Sequence, residues 1–242
     1  RSSDLETFVY YETLKNRYPN VRILTWKKEF NYSAINNFAV REARGEYLLF
    51  LNNDVEIITE NWLEEMLQLC QQKDVGMVGA KLYYPDDTIQ HAGVVVGLGG
   101  VAAHVLCKLP RDAEGYMGRL RCVQEISAVT AACMMVKTSV FKAVGGFDEE
   151  LKVAFNDIDL CMKVRKYGVK IVFTPYAELY HYESKSRGME DTPEKQLRFS
   201  REVNCFRRKW ERELLKGDPY YNPNLTLNNT DCSLRKQEKN GD

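Results

Sequence analysis

Residues 45–54 read Gly-Glu-Tyr-Leu-Leu-Phe-Leu-Asn-Asn-Asp. Tyr47 to Leu51 is an unbroken run of large apolar side chains entered through a glycine, which suits a strand buried on both faces of a parallel sheet. The run stops at Asn52-Asn53-Asp54. Polar side chains at the carboxyl end of a buried strand lie where open α/β sheets bind ligands. A carboxylate there suits a divalent cation, which prefers hard oxygen donors. The same residues equally suit a plain strand-to-loop turn, since Asn and Asp are common turn residues.

Outward from this stretch, the pattern alternates. On the amino-terminal side, Ser33 is a good helix N-cap for a helix running to about Arg44, with Gly45 as its stop. Before it come a helix from Leu5 to Arg17 and a short strand from Val21 to Leu24. On the carboxyl-terminal side, Trp62, Leu63, Met66, Leu67 and Cys70 recur at helical spacing over about Glu60 to Lys73. Val75 to Tyr83 reads as a strand, and Pro85-Asp86-Asp87 as a turn. Strand, helix, strand, helix, strand is the order of βαβ units, so an α/β fold with a mixed, mostly parallel sheet flanked by helices is predicted. The glycine-rich stretch from Gly93 to Arg121 reads as a long mobile loop. Val129 to Val136 suits a central strand, and a short helix ends at Gly145-Gly146. Asp157 to Tyr167 reads as a helix, and Val169 to Phe173 as a strand closed by Pro175. Glu194 to Lys216 sets Phe199, Val203, Phe206, Trp210 and Leu214 on one stripe and carries eight Lys/Arg against four Asp/Glu. The expected organisation is a main domain over 1–192, a basic amphipathic helix and tail over 193–226, and a disordered polar end over 227–242.

The totals narrow the class. With 242 residues, 44% of them hydrophobic, the chain is long enough for one sizeable core. Lys+Arg and Asp+Glu are both 34, so nothing in the charge points to nucleic acid, and no nucleic-acid partner is expected. The longest apolar stretch, Ala92 to Ala103, is far short of the roughly 20 residues that span a bilayer. The 7 cysteines are scattered without a Cys-x-x-Cys pair. That suits a reduced, cytoplasmic setting with cysteines as small apolar fillers.

Three more stretches carry chemistry. In Phe155-Asn156-Asp157-Ile158-Asp159, the acids sit in the first turn of a helix, where they complement its dipole by roughly 0.3–1 kcal/mol. Alternatively, one of them is a general base. Tyr180-His181-Tyr182-Glu183-Ser184-Lys185-Ser186-Arg187-Gly188 offers a histidine that either ligates a metal or simply packs. It also offers hydroxyls and cations suited to phosphate. Gln90-His91-Ala92-Gly93 is a weaker candidate. His104 and Cys107 are spaced like half a metal site but lack a second half. The basic helix suits either packing on the main domain or a peripheral contact with an anionic membrane face.

Taken together and in this order, the chain resembles glycosyltransferase family 2, and most of all its bacterial rhamnosyltransferase-like members. The resemblance rests on Phe30-Asn31-Tyr32-Ser33-Ala34-Ile35-Asn36-Asn37, Leu51-Asn52-Asn53-Asp54, Ile89-Gln90-His91-Ala92-Gly93, Ser127-Ala128-Val129-Thr130-Ala131-Ala132-Cys133, Val144-Gly145-Gly146-Phe147-Asp148-Glu149, the Asn156-Asp157 stretch and the His181 stretch. It runs from about Ser2 to about Thr226. It implies a GT-A fold, a nucleotide-sugar donor such as a UDP- or dTDP-sugar, a glycan or lipid-linked acceptor, Mg2+ or Mn2+, and inversion at the sugar carbon, in cell-surface polysaccharide synthesis.

By that match, Asp157 is the base and Asp54 and His181 hold the metal. Asn37, Asn52, Asn53, Ser186 and Arg187 bind the donor, and His91 and Asp159 face the acceptor. Two substitutions depart from the family pattern: Asn156 stands where an acid is usual, and Ala39 where Gly is common. The family's opening strands are also absent, so the chain is expected to be an amino-terminally incomplete piece of a longer protein at the inner face of the cell membrane. Those departures leave a rival expectation, a non-catalytic module that binds a sugar or a partner.

Overall fold

The computed structural model describes residues 5–183 and 192–236. In chain order the elements are α1 (Leu5–Arg17), α2 (Tyr32–Glu42), β1 (Tyr47–Leu51), β2 (Val55–Ile57), α3 (Trp62–Cys70), β3 (Val75–Tyr83), β4 (Ile89–His91), β5 (Val94–Val96), β6 (Ala102–His104), β7 (Gln124–Glu125), β8 (Cys133–Lys137), α4 (Thr138–Ala143), α5 (Asn156–Lys166), β9 (Lys170–His181) and α6 (Pro193–Lys216). The main sheet runs β1-β8-β3-β9-β2, with β4 on β3 and β7 on β9, and β5-β6 forms a separate hairpin.

The sheet is mixed, but its pairing corrects the mostly parallel expectation. Only β3 and β9 run parallel, while β1–β8, β3–β8, β2–β9, β3–β4 and β7–β9 are antiparallel. The error has a physical cause. Every residue of β3 is buried, because one cluster of side chains covers each sheet face. Burial on both faces gives a continuous apolar run whichever way the neighbours point. A helix between two strands likewise leaves open which strands become neighbours.

β1 is similarly corrected. It is an edge strand in the described sheet, with Leu48 and Phe50 buried and Leu51 41% exposed. At α2 the cap is Asn31, whose side chain accepts the Ala34 N–H at 3.0 Å, while Ser33 is buried and donates to Leu151 O at 2.6 Å. Val21 to Leu24 forms no strand.

Pro175 does not close its strand. β9 continues to His181 by bulging at Thr174–Ala177, where the register jumps from Gly79↔Phe173 to Lys81↔Glu178. A bulge is where a strand tolerates a residue without an N–H.

The segment expected to be a mobile loop is instead folded into the core. Val94, Val95, Val96, Leu98, Val105 and Leu106 are all buried, and Val94 N–H pairs with Ala128 O at 2.9 Å. The end of the chain packs on it. Gly99 N–H donates to Leu227 O and Leu106 N–H to Thr230 O. Residues 224–235 fold back on themselves through Thr226 N–H to Ser233 O and Arg235 N–H to Asn224 O. All seven cysteines are free thiols. No helix among the described residues is long and apolar enough to cross a membrane.

α6 shares the main core: Phe206 is fully buried and Trp210 nearly so, in the same cluster as α5 and β3. Phe206→Ala is expected to cost about 3–5 kcal/mol, read as a lower urea midpoint at unchanged slope. Gly79 faces the loop before β8 so closely that an added Cβ would lie 2.3 Å from Val129 Cγ1. Gly79→Ala is expected to destabilise by about 1–3 kcal/mol through overpacking, checked in the same titration.

Candidate active site

The end of β1 and the end of β9 meet through β2. Asn52 N–H pairs with Ala132 O at 3.0 Å, which fixes the exit of β1 against the loop leading into β8. The chain then turns back as β2, whose Val55 lies opposite His181, and Tyr182 N–H closes on Asp54 O at 2.8 Å. This register brings Asp54 and His181 together across more than a hundred residues of sequence.

Their partners define their chemistry. His181 Nδ1 lies 2.8 Å from Gln90 Oε1, and Gln90 Nε2 donates to His181 O at 3.2 Å. An amide oxygen only accepts, so Nδ1 carries the proton and Nε2 presents a lone pair. That lone pair accepts the Asn52 Nδ2–H at 3.2 Å and lies 3.3 Å from Asp54 Oδ1. Asp54 Oδ1 is buried without a hydrogen-bond partner. Burial holds the His181 imidazole below its ordinary pKa, against the upward pull of Asp54. With the imidazole neutral and its Nε2 held by the Asn52 amide, the group left without a partner is the buried Asp54 oxygen, for which a cation is a suitable partner.

These two side chains fit a hard divalent ion as a partial ligand set. No group of three or more His, Cys, Asp or Glu suited to a metal occurs among the described residues.

Asp157 occupies the other side of the same loop. Phe155 adopts a left-handed backbone (φ 60°) and starts α5, and Asp157 is its second residue. Asp157 Oδ2 accepts Ala131 N–H at 3.2 Å, and Oδ1 accepts Ile158 N–H at 2.8 Å. Ala131 and Ala132 thus tie Asp157 on one side to Asn52 on the other. Tyr32 donates to Ala131 O at 3.2 Å, and burial together with the Asp157 charge pushes its phenol pKa up. Asp157 is half-buried, so its carboxylate is within reach of an incoming group.

The remaining predicted residues fall into three sets. Asn52 is in the site, and Asn53 beside it is exposed at the turn. Ser186 and Arg187 lie outside the described residues. Asn37, His91 and Asp159 are corrected. Asn37 is committed to the turn after α4: its Nδ2 donates to Phe147 O at 3.0 Å and its Oδ1 accepts Phe147 N–H at 2.9 Å. Nδ2 also donates to Glu149 Oε1 at 3.1 Å, so both amide hydrogens are used within the chain.

His91 is fully buried. Its Nε2 accepts Thr130 N–H at 3.4 Å and its Nδ1 lies 3.3 Å from His104 Nδ1, so it props the loop from behind rather than meeting an acceptor. Burial pushes its pKa well below the usual value.

Asp159 is also fully buried, and it points away from Asp157 because successive helix positions face different ways. It accepts Trp210 Nε1 and Lys209 Nζ, both at 2.8 Å, and pairs with Lys163 Nζ at 3.5 Å. It is a structural ion cluster between α5 and α6.

Sequence reading underrated Gln90, which orients His181 at both ends. Its place in a short buried strand was the available signal. A groove of about 1240 Å³ lined by Glu65, Lys81, Arg111 and Tyr176, among others, includes none of Asp54, His181 and Asp157.

Two outcomes check these assignments. Asp159→Ala leaves the Trp210 indole N–H without its partner and takes the buried carboxylate from Lys163 and Lys209, which keep only Gly146 O and Asp148; it is expected to cost about 3–5 kcal/mol as a broken buried ion pair, measured by chemical denaturation. Asn37→Ala is expected to cost about 1–3 kcal/mol through lost hydrogen bonds. At a temperature where it stays folded, calorimetry should show unchanged nucleotide binding.

The comparisons with known proteins bear on the family and the fold. The profile of the "Glycosyltransferase like family" matches residues 17–202. The chain is 53% identical over 234 residues to "Uncharacterized protein y4gI" of Sinorhizobium fredii, covering 96% of this chain and 26% of that protein. It is 41% identical over 238 residues to "O-antigen biosynthesis protein RfbC" of Myxococcus xanthus, covering 98% of this chain and 18% of that one. The chain therefore spans about a quarter or less of the length of these relatives.

Among solved structures it is similar to GalNAc-T7 with UDP, GalNAc and Mn2+, with a TM-score of 0.65, 14% identity and coverage of 88% of this chain and 41% of that one. It is also similar to a mannosyltransferase from Pyrobaculum calidifontis in complex with GDP-Man and Mn2+, with a TM-score of 0.59, 15% identity and coverage of 87% and 53%. At such identities these structures speak for the fold, a GT-A type α/β arrangement. With its profile matched from Arg17 to Glu202, the chain belongs to the glycosyltransferase-like family, broadly within glycosyltransferase family 2.

Proposed function

We propose that the chain is the catalytic domain of a metal-dependent, inverting glycosyltransferase. It moves a sugar from a nucleotide-diphosphate donor to a hydroxyl of a glycan or lipid-linked acceptor. The observation that carries this reading is the unpaired, buried Asp54 oxygen beside His181 Nε2, with Asp157 across the Ala131-Ala132 loop.

Asp54 and His181 would hold Mg2+ or Mn2+. When bound, the ion neutralises the charge that develops on the departing diphosphate. Gln90 fixes the imidazole tautomer and its orientation before a donor arrives, and an ion on Nε2 would displace the Asn52 amide from it. Asp157 takes the proton from the acceptor hydroxyl at its carboxylate, while the Ala131 and Ile158 N–H groups keep that carboxylate oriented. Direct displacement needs one such base and no covalent intermediate. Asn156, where the family usually has an acid, donates to Val153 O at 3.0 Å and is buried, so it shapes the start of α5 rather than sharing the proton.

The setting is read from the relatives. One is named for O-antigen biosynthesis, and a shorter match of 62 residues at 36% identity is to a Mycobacterium tuberculosis rhamnosyltransferase acting on a diphospho-decaprenol carrier. Cell-surface polysaccharide assembly, with hexosyl or rhamnosyl transfer, is the proposed role. The structural neighbours' UDP and GDP-Man widen the donor test beyond UDP- and dTDP-sugars.

The first test is thermal unfolding with UDP, dTDP and GDP, with and without Mn2+. A nucleotide at about 100 times its dissociation constant adds roughly 2.7 kcal/mol. The stabilisation is expected with one of the nucleotides, to vanish with EDTA, and to be lost in Asp54→Ala. Asp157→Asn is expected to lower transfer by about 10²–10⁴-fold with nucleotide binding kept. Nucleotide binding without turnover in the complete protein would instead favour a sugar-binding module.

A further inference from the structure

The sequence presents α6 as a basic helix on a main domain, but its buried face is not purely apolar. Glu202 sits in the middle of that face with 3% of its surface exposed. Its two carboxylate oxygens accept two successive backbone N–H groups, Val153 N–H on Oε1 and Ala154 N–H on Oε2, each at 3.0 Å. Arg198, one turn earlier, flanks it at 3.7 Å. Two N–H groups converging on one carboxylate form a backbone anion site filled from within the protein.

Phe155 comes directly after those two residues, and Asn156 and Asp157 come next. Phe155 holds φ 60°, a conformation that costs a non-glycine residue on the order of 1–3 kcal/mol and persists only where its surroundings impose it. The surroundings come from α6. The Phe155 ring lies 5.7 Å from that of Phe199 and 5.4 Å from that of Phe206. Beyond Asp157 in the same helix, Lys209 and Trp210 bind Asp159. Helix α6 thus grips the segment before Asp157 with Glu202, at Phe155 with two rings, and after Asp157 with a lysine and an indole.

A purely structural helix could bury an apolar residue where Glu202 stands, without the cost of burying a carboxylate. Burial does act against its ionised form and pushes its pKa up, while the Ala154 and Val153 N–H groups oppose that shift.

We propose that Glu202 is a positioning residue for catalysis: its buried carboxylate clamps the Val153-Ala154 backbone so that the left-handed turn at Phe155 delivers Asp157 to the acceptor hydroxyl. This rests on Asp157 being the base. It makes α6 part of the catalytic apparatus rather than an appendage.

The test uses the complete protein, with turnover read as nucleoside diphosphate released from UDP-, dTDP- and GDP-sugars in the presence of Mn2+. Glu202→Gln keeps the shape but turns one oxygen into a donor facing an N–H. It is expected to lower kcat by about 10–100-fold, the scale of a slightly misplaced reacting group, with KM for the donor and Mn2+-dependent nucleotide binding unchanged. Amide hydrogen exchange at Val153 and Ala154 should accelerate. Glu202→Gln combined with Asp157→Asn should be no slower than Asp157→Asn alone, since residues acting as one unit are not additive.

If Glu202→Gln fails to fold, Glu202→Asp, which keeps the charge but shortens the reach, is expected to show the same split between kcat and KM. Full turnover in the folded variant, loss of turnover matched by loss of nucleotide binding, or a multiplicative double mutant would overturn the positioning role alone. Unchanged turnover in Asp157→Asn would sink the base assignment and the positioning role with it.

Discussion

The parallel pairing of β9 with β3 is the constraint on which the rest of the molecule depends. β9 is the longest strand, and it also carries β7 on its early part and β2 on its late part. Because β2 pairs with the last residues of β9, the turn after β1 is drawn beside His181. The bulge at Thr174–Ala177 lets one strand serve both partnerships, since it resets the register between the two halves. The Val55↔His181 pairing is set directly between β2 and β9, and it is what brings the carboxylate and the imidazole together. A one-residue slip in a strand moves every side chain to the opposite face.

Electrostatics divides the buried charges into two kinds. Asp159 is fully buried and meets two lysines and an indole, and Glu202 is buried against two N–H groups. Both are held by partners within the chain. Asp54 keeps one buried oxygen without a hydrogen-bond partner, beside an imidazole that burial holds neutral. A carboxylate left incomplete in this way is costly to the isolated fold and becomes favourable once a cation arrives. Asp159 Oδ2 is likewise buried without a hydrogen bond, but a lysine ammonium lies 3.5 Å from it, whereas the Asp54 oxygen has only an imidazole at 3.3 Å; the difference between them is the charge of the neighbour.

The loop entering β8 works as a hinge pin between the halves of the site. Ala131 and Ala132 have no functional side chain, yet their backbone groups contact Asn52 on one side and Asp157 on the other. His91 braces the preceding residue, and His104 of β6 packs against His91 with the rings 4.8 Å apart. The region that sequence alone treats as a mobile glycine-rich excursion is therefore what makes the loop rigid. Its glycines reflect tight turns with positive φ, as at Gly97 and Gly99, rather than disorder.

The amino-acid sequence by itself determined the identity and near-boundaries of β1, β3, α1, α5 and α6, because apolar periodicity is a local property that survives any tertiary arrangement. It also singled out Asp54, Asp157 and His181, whose residue types match the chemistry and whose neighbouring residues resemble a known family. Only the tertiary structure decided which strands are neighbours, and with it the antiparallel character of the sheet and the edge position of β1. It also reassigned Asn37, His91 and Asp159 to the scaffold, and gave Gln90 and Glu202 their roles as clamps. A side chain's partner across the fold leaves no trace in local spacing. Asp157 and Asp159 lie two residues apart in one helix, yet the 3.6-residue turn sets one half-buried against the Ala131 loop and the other in the core.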